Sequence, residues 1–432
     1  MSFNTISVVG LGYIGLPTAA MFASRKKKVI GVDVNQRAVD TINRGEIHIV
    51  EPDLDMIVHA AVTEGYLKAV LKPEPADAFL IAVPTPFKKS LNQENGSDIP
   101  EPDLSYIQKA SEAIAPVLKK GDLVILESTS PVGATEQMAE WLAAARPDLT
   151  FPQTNGEHAD INVAHCPERV LPGHVVRELV ENDRVIGGMT AKCSARAVEL
   201  YKTFVQGECV VTNARTAEMA KLTENSCRDV QIAFANELSV ICDKLDIDVW
   251  ELISLANRHP RINILQPGPG VGGHCIAVDP WFIVSKTPKE AKLIHTARKV
   301  NDAKPEWVVN KVKIAIADLL QANPDKTAKD VVIACYGLAF KPDIDDLRES
   351  PALNIAKKIA KMHVGRVVAV EPNIKVLPAM NASLDLVSFE NAKKMADVHL
   401  LLVDHKEFKS NKIIAGHIVD TKGIWDKRVK EC

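Results

Sequence analysis

The chain has 432 residues, of which 46% are hydrophobic and 25% are charged, and its formal net charge is −3. This length predicts two or three folded domains, and the composition is that of a globular protein and not of a disordered one. The small negative charge argues against nucleic acid or an anionic membrane surface as a partner.

The first 24 residues are uncharged and largely apolar, as the core of a secretory signal peptide would be. A signal peptide carries its positive charges before its apolar core, whereas here the basic cluster at residues 25–28 follows it. No later stretch reaches the roughly 18 uninterrupted apolar residues of a membrane-spanning helix. We therefore expect a cytoplasmic protein with no membrane partner.

The N-terminal part alternates strand and helix signals. Short apolar runs predict strands at residues 6–9, 29–32, 78–83 and 123–126. Helical stretches separate them, one reaching about residue 25 and one over residues 104–118. Such alternation predicts a parallel, doubly wound sheet. The polar segment 88–102 predicts an exposed loop.

The central part lacks glycine and proline from residue 214 to residue 243 and has apolar residues at helical spacing, which predicts one long helix. Beyond it, a second alternating pattern predicts strands at residues 331–335, 367–370, 399–403 and 418–419. It also predicts a helix at residues 351–362. The expected fold class is therefore α/β, with two doubly wound, Rossmann-like domains joined by a central long helix.

A glycine fingerprint follows the first predicted strand. Gly10, Gly12 and Gly15 form GxGxxG between a strand and a helix, which is the context that a dinucleotide site requires. Asp33 ends the second strand, where a carboxylate binds a ribose diol and repels a 2′-phosphate, so NAD is favoured over NADP. The alternative is a structural glycine turn in another doubly wound protein. Thr85 and Thr129 follow later strands and line the same crevice, or lie in plain turns.

Cys275 is embedded in the densest glycine cluster of the chain, residues 268–273. A ligand can approach such a loop closely, so Cys275 is the candidate nucleophile, and a buried structural thiol is the alternative. The eight cysteines form no CxxC pair. His274 is interpreted as structural, and no metal site is expected. Asp279 by itself is typical of a solvated turn.

Polar side chains at spacings of 3, 4 and 3 share one face of the long predicted helix: Glu218, Lys221, Asn225 and Arg228. This face is either catalytic or simply solvated. Basic residues elsewhere are either surface charges or ligands of a diphosphate. They are Arg258, His259, Arg261, Lys341, Arg348 and Lys422.

These motifs together resemble the UDP-glucose/GDP-mannose dehydrogenase family. The matching segments are GLGYIGLP at residue 10, VPTP at 83, ESTSPVG at 127, CPERVLPG at 166, AEMAKLTENSCRD at 217, GPGVGGHCIAVDP at 268 and GLAFKPDIDDLRESP at 337. Within the family, residues 258–282 are most similar to the branch that oxidises UDP-N-acetyl-D-mannosamine, whose uronate product is used in enterobacterial common antigen and related polysaccharides. Cys227 departs from the aromatic residue that many relatives have there, and the loop at 88–102 is longer than usual.

The resemblance implies a homodimer of three-part chains. Residues 1–205 would bind NAD, residues 206–310 would form a helical dimerisation and catalytic-loop region, and residues 311–432 would bind the UDP-sugar. The NAD contacts would be Gly10, Gly12, Tyr13, Ile14, Gly15, Asp33, Thr85 and Thr129.

The resemblance also implies the catalytic residues. Cys275 would be the nucleophile, Lys221 and Asn225 would contact the reacting oxygen, Asp279 would support the base or water, and Glu168 would assist hydrolysis. The UDP-sugar contacts would be Arg169, Val170, Lys221, Asn225, Arg228, His259, Arg261, Gly272, Phe340, Lys341, Arg348 and Lys422. In relatives the arginine that matches Arg261 can come from the partner subunit.

The implied reaction is a four-electron oxidation of the C6 alcohol to a carboxylate, through a thiohemiacetal and a thioester on Cys275. The same chemistry on UDP-N-acetylglucosamine or UDP-glucose is an alternative. A two-electron β-hydroxyacid dehydrogenase shares the glycine fingerprint and a helix lysine but does not need the cysteine. A non-catalytic, NAD-responsive binding protein would leave Cys275 expendable.

Overall fold

The computed structural model describes residues 3–49, 51–88, 99–171, 173–273, 275–377 and 384–425. The chain divides into two compact units, the first comprising residues 1–224 and 285–287 and the second comprising residues 225–284 and 288–432. Within the described residues, no helix is both long enough and apolar enough to cross a membrane.

The first unit is built on an eight-stranded sheet with the strand order β3-β2-β1-β4-β5-β6-β7-β8. Its neighbouring strands run parallel, except that β6 and β7 are antiparallel. The strands are β1 Thr5–Val9, β2 Lys28–Val32, β3 Leu67–Val70, β4 Ala78–Ile81, β5 Leu123–Leu126, β6 Asn162–His165, β7 Arg184–Gly188 and β8 Cys209–Asn213.

Helices cover both faces of this sheet. They are α1 Gly15–Ser24, α2 Gln36–Asn43, α3 Leu54–Thr63, α4 Ser105–Ile114, α5 Ala134–Ala145, α6 Pro152–Asn155, α7 Val175–Glu181 and α8 Ala191–Tyr201. Alternate residues of one strand enter different cores: Val8 belongs to one buried cluster and Val9 to the other. Because strand side chains alternate between faces, each strand contributes to two hydrophobic layers, as a doubly wound sheet requires.

The second unit begins within the long helix α9, Ala214–Leu245, which has 32 residues. The next helices are α10 Val249–Ala256, α11 Asp279–Lys286 and α12 Lys292–Ala322. Pro305 lies inside α12. The predicted boundary at residue 310 falls within this helix, and the three-part division of the chain stays a prediction.

A five-stranded parallel sheet completes the second unit, with the order β11-β10-β9-β12-β13. Its elements are β9 Ile333–Tyr336, α13 Pro351–Met362, β10 Val367–Val370, β11 Asp385–Leu386, α14 Phe389–Met395, β12 Val398–Leu401, α15 Lys406–Ser410 and β13 His417–Asp420. Two hydrophobic clusters again cover the two faces of the sheet.

The predicted fold class is confirmed, with two doubly wound α/β sheets that are parallel apart from the β6–β7 pair, and with the long central helix. Sequence inspection did not identify β3, β6, β7 or β8. These strands carry polar residues among their apolar ones, and their single short runs do not stand out from loops. The segment 88–102 begins with a backbone hydrogen bond of 2.8 Å from Lys88 N to Glu101 O. Residues 89–98 of this predicted loop lie outside the described residues, as does His274.

Candidate active site

The glycine turn after β1 has two tightly packed glycines and one open one. A side chain on Gly10 would place its Cβ 2.5 Å from the Ala82 carbonyl oxygen, and one on Gly15 would place it 1.7 Å from the Gly10 oxygen. A Cβ on Gly12 would meet no atom within 4 Å. The first and third glycines therefore allow the turn to close, and the second faces open space where a pyrophosphate can approach the backbone.

Asp33 binds this turn directly. Its Oδ2 accepts a hydrogen bond from Leu11 N at 2.8 Å, and its Oδ1 accepts one from Asn35 N at 2.9 Å. A carboxylate oxygen has more than one acceptor site, so both oxygens keep capacity for a ribose diol. Tyr13 is exposed, and Ile14 immediately precedes α1.

The loops after β4 and β5 lie at the carboxyl ends of adjacent parallel strands. Ser128 Oγ donates to Val83 O at 2.7 Å and so joins the two loops. Thr129 is half-buried. Thr85 Oγ1 is buried and has no hydrogen-bond partner within the described residues, although buried hydroxyls are normally paired. The unpaired hydroxyl, the open Gly12 and the Asp33 carboxylate fit a bound NAD.

Cys275 is exposed and lies in the segment before α11. We call residues 268–278 the cysteine loop. The Cys275 carbonyl accepts hydrogen bonds from Val278 N at 3.0 Å and from Asp279 N at 2.8 Å, which form a turn into α11. Asp279 is buried, and its Oδ2 accepts from Asn225 Nδ2 at 2.5 Å. The structure therefore brings three predicted catalytic residues together within the second unit.

The glycines of the cysteine loop pack against the C-terminal α/β part of the same unit. A Cβ on Gly272 would lie 2.6 Å from Pro351 Cδ, and one on Gly273, whose φ is +84°, would lie 3.4 Å from the Phe340 ring. A Cβ on Gly268 would lie 3.7 Å from Lys422 Nζ. This contact surface assembles Gly272, Phe340 and Lys422, which are three of the predicted UDP-sugar residues.

Most of the predicted basic residues of this unit are exposed. Lys422 is paired with Asp404 at 3.1 Å, and Arg348 is paired with Asp346 at 2.5 Å. The exposed ones are Arg348, Lys341, Arg228, His259 and Arg261. Among these, the structure records a hydrogen bond of 3.4 Å from Arg261 N to His259 Nδ1.

The first turns of α9 belong to the first unit and carry Glu218 and Lys221 of the predicted polar helix face. Glu218 is buried and accepts from Gly133 N at 2.7 Å and from Thr135 N at 2.8 Å. These bonds satisfy amides at the start of α5, so Glu218 acts as a structural cap. Lys221, one turn later, is half-buried. Glu224 forms an ion pair with Arg169 at 2.7 Å.

Glu168 lies in a buried charged cluster that sequence inspection missed. Its carboxylate forms an ion pair with Arg184, whose Nη1 also lies 3.8 Å from Glu127 Oε1. Tyr201 donates to Glu127 Oε1 at 2.9 Å. Burial, together with the nearby Glu168 charge, raises the pKa of Glu127 to about 8. Two carboxyl groups therefore share one guanidinium, and burial favours the protonated form of Glu127.

Comparison with known proteins assigns the chain to a family. Residues 4–205 match the NAD binding domain of the UDP-glucose/GDP-mannose dehydrogenase family, residues 215–303 match its central domain, and residues 334–427 match its UDP binding domain. The chain belongs to this family. It is accordingly an NAD-dependent dehydrogenase, and the UDP binding domain supports a UDP-sugar substrate.

Three members of the family illustrate the likeness. The chain is 69% identical to a UDP-N-acetyl-D-mannosamine dehydrogenase of Yersinia pestis, over 98% of this chain and 100% of that protein. It is 62% identical to an NDP-N-acetyl-D-galactosaminuronic acid dehydrogenase of Ralstonia nicotianae, over 99% and 98% of the two chains. The solved UDP-D-ManNAc dehydrogenase of Pyrococcus horikoshii has a TM-score of 0.84 and 37% identity, and the match covers 98% of this chain and 96% of that one.

Arg184 could have been noticed as an arginine at the start of a strand, and Glu127 lies within the quoted segment ESTSPVG. Neither signal indicates a shared ion pair, because pairing depends on how β5, β6 and β7 align in the sheet.

Within the described residues, no group of three or more histidine, cysteine, aspartate or glutamate side chains is arranged to hold a metal ion.

Proposed function

We propose that the chain oxidises the C6 alcohol of UDP-N-acetyl-D-mannosamine to the carboxylate of UDP-N-acetyl-D-mannosaminuronate, with Cys275 as the covalent nucleophile. The observation that carries this proposal is the exposed Cys275, one turn before the buried Asp279, which is bound by Asn225. A two-electron dehydrogenase needs no such thiol. The Yersinia pestis relative is a UDP-N-acetyl-D-mannosamine dehydrogenase, which supports the choice of sugar.

NAD, held by the glycine turn and Asp33, would accept one hydride in each of the two oxidations. The first oxidation turns the C6 alcohol into an aldehyde. Lys221 and Asn225 would contact the reacting oxygen, where a cation and an amide N–H stabilise developing negative charge. The Cys275 thiolate then adds to the aldehyde carbon and gives a thiohemiacetal, which holds the intermediate on the protein.

Loss of the second hydride converts the thiohemiacetal into a thioester. Water adds to the thioester carbonyl, the carbon–sulfur bond breaks, and the carboxylate and the free thiol are released. Asp279 would orient or deprotonate this water, since its carboxylate is fixed by the Asn225 amide. Glu168 would assist the hydrolysis, and its ion pair with Arg184 would hold its carboxylate in place.

For the UDP-sugar we propose contacts in and around the cysteine loop. Gly272 lies in the cysteine loop, Phe340 and Lys422 lie against it, and Lys341 and Arg348 follow β9 in the segment that contains Phe340. Basic side chains in such a group neutralise a diphosphate. The other proposed contacts are Arg169, Val170, Arg228, His259 and Arg261.

We further propose that the protein is a cytoplasmic homodimer. The long helix α9 carries exposed apolar side chains, including Phe234, Ile241 and Leu245. A row of exposed apolar residues on a helix is typical of a surface that a partner covers. Arg261 of a partner subunit would then contribute to the substrate site. The uronate product would supply polysaccharide synthesis.

The experiment is a panel of sugar nucleotides assayed with excess NAD. The account expects about two NADH per UDP-N-acetyl-D-mannosamine consumed, with lower kcat/KM for UDP-N-acetylglucosamine and UDP-glucose. One NADH per sugar would contradict the four-electron reaction. A preference for a UDP-N-acetyl-D-galactosamine substrate would favour the activity for which the Ralstonia nicotianae relative is named.

A further inference from the structure

Both ends of the cysteine loop are held by one face of α9. Asn225 binds Asp279, directly after the loop, and Asn236 binds Gly268 at its start. The two asparagines are eleven residues apart, which is about three helical turns, so they point in the same direction. We infer that Asn236 is a positioning residue for Cys275, an inference that rests on the proposed role of this thiol.

The amide of Asn236 is fixed by two hydrogen bonds. Its Oδ1 accepts from Gly268 N at 2.9 Å, and its Nδ2 donates to Asn301 Oδ1 at 2.9 Å. Because the acceptor faces a backbone N–H, the orientation of the amide is determined by its partners. Asn236 is completely buried, so water does not replace either bond.

The chain of hydrogen bonds continues to a buried charge. Asn301 Nδ2 donates to Asp229 Oδ1 at 2.8 Å, and Arg298 Nη1 donates to the same oxygen at 2.6 Å. Every donor from Gly268 onward therefore points toward the Asp229 carboxylate. Hydrogen bonds aligned in this way polarise and strengthen one another in a buried setting. The loop is thus tied, through Asn236, to the rigid packing of α9 on α12.

The cysteine loop depends on such anchors because its own backbone is permissive. It contains Gly268, Gly270, Gly272 and Gly273, and the described residues between α10 and α11 form no helix or strand. Glycine adopts many backbone conformations, so the loop has little intrinsic preference for one shape. Errors of about 1 Å in the placement of a reacting group lower rates by about a hundredfold. Losing the anchor at Gly268 should therefore affect chemistry more than folding.

The test compares Asn236→Ala with wild type and with Ser239→Ala. Ser239 is buried one turn later on α9 and donates to the Asn236 carbonyl, but it does not bind the loop. We expect Asn236→Ala to lower kcat at least about tenfold while the Kd for NAD stays unchanged. Ser239→Ala should keep kcat within about twofold. Asn236→Asp, which retains an oxygen for Gly268 N but loses the donor to Asn301 Oδ1, should not restore kcat fully.

A second readout follows the thiol itself. The rate of alkylation at Cys275 by iodoacetamide should change at least about threefold in Asn236→Ala, whereas the rate at Cys227, which is exposed on α9, should not change. A purely structural role would alter neither rate in folded protein. If Asn236→Ala does not fold, Asn236→Ser carries the same expectation, because its shorter side chain does not reach Gly268.

Wild-type values of kcat and alkylation in the folded Asn236 variant would overturn the inference. This outcome is distinct from failure of the proposed function, which is judged on the wild type alone. Two NADH per sugar in the wild type, combined with an unaffected Asn236 variant, rejects only the positioning role. One NADH per sugar in the wild type rejects the function on which the inference rests.

Discussion

The side-chain amide of Asn225 donates a hydrogen bond of 2.5 Å to the Asp279 carboxylate, which is buried at the first residue of α11. The start of a helix favours a negative charge. The amide therefore fixes the carboxylate at the start of the helix. The same turn contains Cys275, whose carbonyl accepts from Asp279 N at 2.8 Å.

Replacing this carboxylate tests its part in the reaction. Asp279→Asn keeps the size of the side chain and removes the charge. We expect kcat to fall by about a hundredfold or more, as is usual when a general base is lost, with little change in melting temperature. The matched control is Asp318→Asn, at an exposed position of α12. A kcat within twofold of wild type in Asp279→Asn would exclude a role for this carboxylate.

The glycine fingerprint offers a contrast between binding and folding. A Cβ at position 12 meets nothing within 4 Å, whereas one at position 15 would lie 1.7 Å from Gly10 O. Gly12→Ala should therefore fold with an unchanged melting temperature and bind NAD at least about tenfold more weakly, because the methyl group occupies pyrophosphate space. Gly15→Ala should lower the melting temperature by several degrees. Calorimetry and NAD titration measure both effects, and undiminished NAD affinity in Gly12→Ala would refute the site.

Asp33 provides a separate test of cofactor choice. Asp33→Ala removes the acceptors for a ribose diol and should raise the Kd for NAD by about tenfold to a hundredfold. NADP should gain little, since no basic residue replaces the lost repulsion. Asp40→Ala, at an exposed position of α2, is the control. Equal NAD affinity in Asp33→Ala and wild type would remove the ribose role.

Some features of the fold and of the candidate site could be predicted from the sequence because they depend on local chemistry. The glycine turn needs three glycines at fixed spacing between a strand and a helix, and this pattern is visible in ten residues. The helix predicted at residues 351–362 matches α13, Pro351–Met362, because Ser350 caps its start and Pro351 suits the first turn. Local signals of this kind need no knowledge of distant contacts.

Other features depend on pairing between distant segments. Asp279 by itself suggests a solvated turn acid, yet it is buried because Asn225, 54 residues earlier, supplies a donor. Arg184 is buried because Glu168 and Tyr201 surround it. No periodicity in the sequence predicts these contacts between distant residues. They arise from strand order and helix packing, which sequence inspection gives only in outline.

The buried cluster around Glu127 predicts a pH effect on stability. Its pKa is raised from 4.5 to about 8 in the folded protein. The contribution of this group to stability is therefore full below about pH 4.5 and is lost as the pH rises to about 8. Glu127→Gln removes this titration, so its melting temperature relative to wild type should increase between pH 5 and about pH 9. Glu140→Gln, at an exposed position, should show no such trend. A constant difference for Glu127→Gln across this range would mean that Glu127 is ionised throughout.

The central claim is that Cys275 carries the acyl intermediate, and the most direct measurement is the product and covalent state of Cys275→Ser. With UDP-N-acetyl-D-mannosamine and NAD, wild type should form about two NADH per sugar, and intact-mass analysis of quenched enzyme should reveal an acyl adduct that maps to Cys275. Cys275→Ser should stall after an initial oxidation or at a slow acyl step, and it should lack the thioester. Formation of the uronate by Cys275→Ser at the wild-type rate would contradict the account.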